Sequence, residues 1–251
     1  MLISVLTATY NSSLLLKDAL HSFAKQTYTA KELIVIDGAS RDKTLKIIQD
    51  HHTLVNQFIS EPDQGIYDAL NKGIALAKGD VIGILHSDDF FASDEVLSKV
   101  AQLFATDPEL EAVYGDLDYV DRIDSNKMIR KWKSGVYNFQ KLKQGWMPPH
   151  PALFIKKNCF TKYGNYNLQY HSAADYDLIL RFLFKHKIKT AYLPQVLVKM
   201  RIGGLSNQSF KNRRRANQED YQALKSNGVS FPFIVSIIKP LRKLGQYFKL
   251  F

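Results

Sequence analysis

Over the first hundred residues, short apolar runs alternate with stretches whose apolar positions recur every three or four residues. Residues 3–7, 32–37, 57–60 and 81–85 read as strands, and residues 14–23, 44–49, 66–77 and 96–104 as helices. In the third helix Ile66, Ala69, Leu70, Gly73, Ile74 and Ala77 share one face, and Lys78-Gly79-Asp80 ends it. Asn11 and Ser12 offer capping chemistry before the first helix, as does Ser93 before the fourth. This βαβαβαβ order predicts an α/β fold, a mostly parallel central sheet flanked by helices on both faces.

Past residue 110 the order changes. Residues 112–114, 117–120 and 128–132 read as strands, with a turn at Asp124-Ser125-Asn126. An apolar helix starts near Ala173 and runs to Phe184, residues 191–193 and 196–200 read as strands near an edge, and residues 212–224 as a polar helix.

Of the 251 residues 45% are apolar, enough to bury the core of one sizeable domain. The lone Cys159 excludes an internal disulfide framework and a CxxC metal site, so a reducing cytoplasm is the expected compartment. The opening residues lack the basic start of a secretory signal, and no apolar run reaches the ~18 residues of a membrane span. Charge is unevenly placed. Residues 199–251 hold 11 Lys/Arg against 2 Asp/Glu, whereas residues 1–198 hold 23 against 22. A neutral body argues against a nucleic-acid partner, and a basic tail beside apolar residues fits an anionic membrane surface.

In open α/β sheets ligands bind beyond the carboxyl ends of the strands. Four polar clusters fall there: Thr7-Ala8-Thr9-Tyr10-Asn11, Asp37-Gly38-Ala39-Ser40, Glu61-Pro62-Asp63-Gln64-Gly65 and His86-Ser87-Asp88-Asp89. Ser40 and Ser93 taken singly read as helix caps, but the four clusters together point to a ligand site. The adjacent carboxylates of Asp88 and Asp89 call for a cation or donors, and oxygen ligands suit Mg²⁺ or Mn²⁺ bridging to phosphates. No Walker-type loop and no GxGxxG follow the first strand, which disfavours a P-loop NTPase and a dinucleotide site.

These motifs, with Asp42 and Thr44, Ile66-Tyr67-Asp68-Ala69, Asn71-Lys72-Gly73, Ala77-Lys78-Gly79-Asp80, His150-Pro151-Ala152-Leu153-Phe154 and Ala174-Asp175-Tyr176-Asp177-Leu178, carry a resemblance over roughly residues 2–206. The chain resembles the family 2 glycosyltransferases of GT-A fold, and its later half resembles enzymes of bacterial surface-polysaccharide synthesis, including colanic-acid-type transferases. The resemblance implies an inverting transfer from a nucleoside-diphosphate sugar, a UDP-sugar first, to a glycan or lipid-linked acceptor. It assigns the Thr7-Ala8-Thr9-Tyr10 loop to base and ribose, Asp37 to a base N–H, Asp68 to nucleotide or sugar, and Asp88 with Asp89 to a divalent cation, Asp89 the more direct ligand. His86 enters by position only and reads better as a packed or capping residue. Asp175 is the base that the resemblance implies, with Asp177 in support; the residues alone favour a helix cap at either.

Trp146-Met147-Pro148-Pro149-His150 reads equally as acceptor lining or core. Arg201 is a candidate partner of the diphosphate, in a Gly-rich loop that reads almost as well as an ordinary turn. The expected organisation is a catalytic domain over residues 1–228 and a basic, amphipathic helical tail over 229–251. Leu241, Leu244, Phe248 and Phe251 space that tail for the inner face of the plasma membrane, with Pro240 bending it; a helix docked on the domain or a dimer contact is the other reading. A nucleotidyltransferase is the rival enzyme, but it would want a Gly-rich basic loop where this chain has Thr7-Ala8-Thr9-Tyr10-Asn11.

Overall fold

The computed structural model describes residues 1–203 and 210–242, with side chains for residues 1–203 and 214–242. The elements run β1 (Ile3–Thr9), α1 (Leu16–Ala24), β2 (Lys31–Asp37), α2 (Thr44–Asp50), β3 (Gln57–Ser60), α3 (Ile66–Leu76), β4 (Val81–Ile84), β5 (Phe90–Phe91) and α4 (Val96–Thr106). There follow β6 (Ala112–Val120), β7 (Met128–Trp132), α5 (Phe139–Leu142), β8 (Leu153–Lys156), α6 (Lys157–Tyr163), α7 (Ala174–Ile179), β9 (Thr190–Arg201), α8 (Phe210–Ser226) and α9 (Pro232–Arg242).

One curled sheet has the order β3-β2-β1-β4-β8-β6-β9-β5, with β7 on the far half of β6. The first four strands pair in parallel, as predicted. β8 then enters antiparallel between β4 and β6, so the sheet is mixed where the sequence predicts it mostly parallel. β6 and β9 again pair in parallel. Residues 112–120 form one strand rather than two, and so do residues 190–201. The register shifts around Gly115 and Asp116, where Leu197 and the Gln195 carbonyl press on Gly115 and leave no room for a Cβ.

Alternation along the central strands builds two cores. Ile3, Val5, Leu33 and Val35 face α1 and α4, whereas Leu6, Ala8, Ile34 and Ile36 face α3 and α7. Below the sheet, the buried Glu32 carboxylate accepts bonds from Ser4 Oγ (2.5 Å), Lys78 N (2.6 Å) and Gly79 N (3.2 Å). The Lys78-Gly79-Asp80 turn is therefore a clamp joining β1, β2 and β4 at the end away from the ligand edge. The predicted caps are replaced. α4 starts without a side-chain cap of its own, and Gln26 Oε1, from the end of α1, accepts the Leu97 N–H at 3.0 Å. The apolar helix after Ala173 is α7 continued by a π-helical turn over Leu180–Lys185.

The tail docks in part. α9 seats Val235 and Lys239 against the domain, where Lys239 Nζ lies 2.7 Å from Asp220 Oδ1 and 3.3 Å from the Tyr176 ring centroid. Phe231, Phe233, Ile234, Ile237 and Leu241 remain exposed. Pro240 lies within the final turn of this helix. The expected amphipathic positions Leu244, Phe248 and Phe251 lie outside the described residues, as do Gly204, Leu205 and Ser206.

Candidate functional site

Parallel register sets Thr9, Asp37 and Ser60 side by side at one edge, and Leu85 continues the row through its N–H to Leu6 O (3.0 Å). The loops beyond are laced together. Asn11 and Ala39 hold positive φ angles of 48° and 59°; Asn11 N donates to Ser40 Oγ (2.8 Å), and Arg41 N donates to Asn11 Oδ1 (2.9 Å). Ser12 reaches Thr44 through its N–H (2.8 Å) and Ser87 through its hydroxyl (2.9 Å). Asp42 accepts from Ser13 N (3.1 Å) and Thr44 N (2.9 Å), and its slight desolvation is outweighed by these bonds and those of the Thr44 hydroxyl, which hold its carboxyl down to about 2.

Within this frame the predicted nucleotide residues separate. Thr7 and Ala8 lie inside β1 and are buried, whereas the Tyr10 ring stands out at 59% exposure. Asp37 is wholly buried and filled by its neighbours: Ser40 N (2.9 Å), Ser40 Oγ (2.5 Å) and Ser60 Oγ (2.7 Å). Asp63, which the sequence places in the third polar cluster without a role of its own, sets Oδ2 beside Tyr10 and directly over Gly38, where a Cβ would come within 2.6 Å of it. Gly38 leaves room for that carboxylate. Asp68 folds back onto the loop before α3, accepting from Gln64 N (3.1 Å), and pairs with Lys72 (3.5 Å).

The acidic pair lies in the turn between β4 and β5, against the end of β9. Asp89 is fully buried; Oδ1 accepts the Arg201 N–H (3.1 Å), and Oδ2 is a buried oxygen with no partner among the described residues. Burial and the adjacent Asp88 push its carboxyl well above the usual range, against the pull of Arg201. The Arg201 guanidinium is committed to Asp18 (2.5 Å) and to the Asp88 carbonyl (2.8 Å). Arg122, in the turn after β6, brings Nη1 within 3.9 Å of Asp88 Oδ2. Among the described residues no cluster of three or more His, Cys, Asp and Glu side chains forms a metal cage. The donor set nevertheless fits a hard cation. The orphaned Asp89 oxygen and the neighbouring Asp88 carboxylate offer oxygen ligands, and Mg²⁺ or Mn²⁺ completes its shell with phosphates and water.

Asp175 lies on the first turn of α7, and it is not the cap of that helix. Glu219 from α8 does this work, accepting from Ser172 N (2.6 Å) and Ala173 N (3.2 Å). Asp177 is tied inward to Asn227 (2.8 Å) and Arg181 (3.2 Å). Asp175 Oδ1 instead accepts the Tyr67 hydroxyl at 3.1 Å. The charges of Asp88 and Asp175 both act on His86, whose segment follows β4. His86 Nδ1 is buried without a partner among the described residues, and burial lowers the His86 pKa against the pull of both carboxylates. The His86 ring faces His150 with centroids 6.1 Å apart. Trp146 is half-buried, bonded to Ser134 O (3.0 Å) and packed edge-on against Tyr114 and Tyr137, a wall of the core.

His150 carries a stability prediction. Burial pulls its pKa down to about 4, a smaller upward pull coming from Asp175. Its folded state therefore binds fewer protons than its unfolded state between about pH 6.5 and 4, and its stabilising effect is lost as pH falls through that window. The cost reaches about 3 kcal/mol at the acid end. Urea midpoints of His150→Gln should fall less steeply than wild type there; equal slopes would place the proton uptake elsewhere.

Comparison with known proteins fits this site. The profile of Glycosyl transferase family 2 matches residues 4–163. A PGL/p-HBAD biosynthesis glycosyltransferase of Mycobacterium bovis (strain BCG / Pasteur 1173P2) is 30% identical over 208 residues, 81% of this chain and 78% of its own. Chondroitin synthase of Escherichia coli is 32% identical over 198 residues, 76% of this chain but 28% of that longer protein. Among solved structures, S. aureus TarS 1-349 in complex with UDP-GlcNAc superposes with TM-score 0.70 at 16% identity, covering 100% of this chain and 73% of that one. The mannosyltransferase PcManGT from Pyrobaculum calidifontis, in complex with GDP-Man and Mn²⁺, gives 0.67 at 18% identity, covering 95% and 69%. With its family profile matched over well more than half its length and a relative aligned along 81% of it, the chain belongs to the family 2 glycosyltransferases, has the GT-A fold and is a glycosyltransferase.

Proposed function

We propose that this enzyme moves a sugar from a nucleoside-diphosphate donor, a UDP-sugar, to a lipid-linked glycan acceptor in bacterial surface-polysaccharide synthesis, with inversion at the anomeric carbon. The observation that carries the reading is the placement of Asp175, free of capping work that Glu219 does and with Oδ1 held by the Tyr67 hydroxyl. Asp175 takes the proton of the acceptor hydroxyl, the freed oxygen bonds to the anomeric carbon, and the bond from that carbon to the diphosphate oxygen breaks with its electron pair. A single displacement inverts the centre. Tyr10 and the loop after Thr7 and Ala8 lie against the nucleotide, Asp63 accepts a base imide N–H, and Asp37 and Asp68 hold the loops that form this pocket. Asp88 and Asp89 hold Mg²⁺ or Mn²⁺, which when bound offsets negative charge on the diphosphate. Arg201 braces both acids from below, and Arg122 lies close enough to Asp88 to meet a phosphate.

A thermal-shift panel of UDP-glucose, UDP-galactose, UDP-GlcNAc and GDP-mannose, each with and without Mn²⁺, tests the donor. Stabilisation by a UDP-sugar is expected; a response to GDP-mannose alone would overturn the UDP reading. Proton NMR of the first product then reads its anomeric configuration, and retention would exclude the single displacement.

The acceptor reading places the enzyme against the cytoplasmic face of the membrane. α9 turns Phe233, Ile234, Ile237 and Leu241 outward, and the adjoining α8 and tail carry most of the net positive charge. Ile234→Ser/Ile237→Ser/Leu241→Ser leaves Val235 and Lys239 seated, so the fold should survive while co-sedimentation with phosphatidylglycerol vesicles falls several-fold. Wild-type binding that is indifferent to salt and to anionic lipid would remove the membrane from this reading.

A further inference from the structure

α3 presents two side chains one helical turn apart toward the α7 side of the cleft, Tyr67 and Asn71. Asn71 pins the segment before α7 by a pair of hydrogen bonds to one residue, donating Nδ2–H to Tyr166 O (2.9 Å) and accepting Tyr166 N–H at Oδ1 (2.9 Å). The Tyr166 ring, held in place, stacks on Tyr67 with centroids 5.6 Å apart and 24° between planes. Its hydroxyl is in turn bonded to His150 Nε2 at 2.6 Å. Tyr67 is thus fixed by a stacked neighbour that is itself held at three atoms, its N, O and hydroxyl. From that seat its hydroxyl reaches Asp175 Oδ1. Asp175 Oδ2 receives no hydrogen bond from any described residue.

We infer that Tyr67 is a positioning residue for the transfer reaction: by holding Asp175 Oδ1 it turns Oδ2 into the cleft, where the acceptor hydroxyl must deliver its proton. The inference rests on the reading of Asp175 as the base. The two oxygens are then unequal, one tied to the protein and one open. A carboxylate free to rotate about its Cβ–Cγ bond would present the basic oxygen in the wrong direction for part of the time, and reaction rates fall steeply with such misplacement. Burial and the negative charge of Asp175 push the Tyr67 phenol well above its ordinary pKa, so it stays a donor throughout the working range. The network also gives a physical reason for Ile66-Tyr67-Asp68-Ala69 and Asn71 as a unit. Asp68 holds the loop that enters the helix, while Tyr67 and Asn71 tie it to the base-bearing segment 108 and 95 residues away.

The test is a double-mutant cycle of Tyr67→Phe with Asp175→Asn. Turnover is read as nucleoside diphosphate release from whichever of UDP-glucose, UDP-galactose, UDP-GlcNAc and GDP-mannose stabilises the wild type. Tyr67→Phe keeps the ring stack, so melting temperature and donor Kd should stay near wild type while kcat falls about 10- to 100-fold, the scale of one hydrogen bond to a charged group. In the Asp175→Asn background the same change should cost nothing further. Tyr166→Phe, which loses the His150 bond but not the one to Asp175, should move kcat less than Tyr67→Phe does. Near-normal kcat in Tyr67→Phe overturns the inference, and so does a loss that persists undiminished beside Asp175→Asn. If Asp175→Asn itself turns over normally, it is the base assignment that has failed. An inactive Asp175→Asn beside a fully active Tyr67→Phe leaves the base in place and removes only the positioning role.

Discussion

Asp175→Asn is expected to lower turnover by about 10²–10⁴, the usual cost of losing a general base, with fold and donor binding retained. The amide keeps the shape of the side chain and can still accept the Tyr67 hydroxyl, so α7 should not move. Nor is its cap disturbed, because Glu219 supplies that from α8. What disappears is the proton acceptor. The measurement is kcat beside an unchanged donor Kd and melting temperature. Near-normal turnover would send the search to His150, deep in the same cleft, since Asp177 is occupied by Asn227 and Arg181.

Asp89→Ala is expected to leave no detectable transfer, and EDTA should do the same to the wild type. Two effects are joined in this substitution. The carboxylate offers its free Oδ2 to a cation, and its Oδ1 also holds the Arg201 N–H at the end of β9. Asp89→Asn separates them, because an amide oxygen still accepts from Arg201 but brings no charge. Asp89→Asn should melt near the wild type and lose most of its activity, on the order of 10²–10³, the value of several kcal/mol of charge stabilisation. Full activity of the wild type in EDTA, with an active Asp89→Ala, would show that the diphosphate is balanced by protein cations alone.

The amino-terminal half was legible because its signals are local. Strand and helix periods up to residue 104 return nearly residue for residue, and the four polar clusters do meet at one edge. The later half depends on contacts that have no local mark. β8 is four residues long and takes its place only by fitting between β4 and β6. Gly115 and Asp116 look like a strand break but are a bulge within one strand. The helix caps were misread for the same reason: Gln26 and Glu219 cap from distant elements, so Ser93 and the acids of α7 looked like the caps because they are near in sequence. At the site, the acidic pair and Asp175 stand out as motifs, but the filling of Asp37 by Ser40 and Ser60 and the seat of Asp63 beside Tyr10 do not. Both residues follow strands as Asp in a Gly-containing loop, and only the three bonds from Ser40 and Ser60 reveal that Asp37 is already full.

The place of β8 has a consequence for how the chain is made. β1 to β4 all come from the first 84 residues and can pair as soon as they leave the ribosome. Their sheet then ends on β4, whose N–H and C=O groups on that side have no strand to meet until residues 153–156 emerge. At about 5–20 residues per second that interval lasts several seconds. An apolar strand with a bare edge is a template for pairing with another chain. Nascent or truncated forms that stop between the end of β4 and the start of β8 are thus the species most exposed to self-association, and Glu32, clamped under the same strands, holds the half-built sheet in register while it waits.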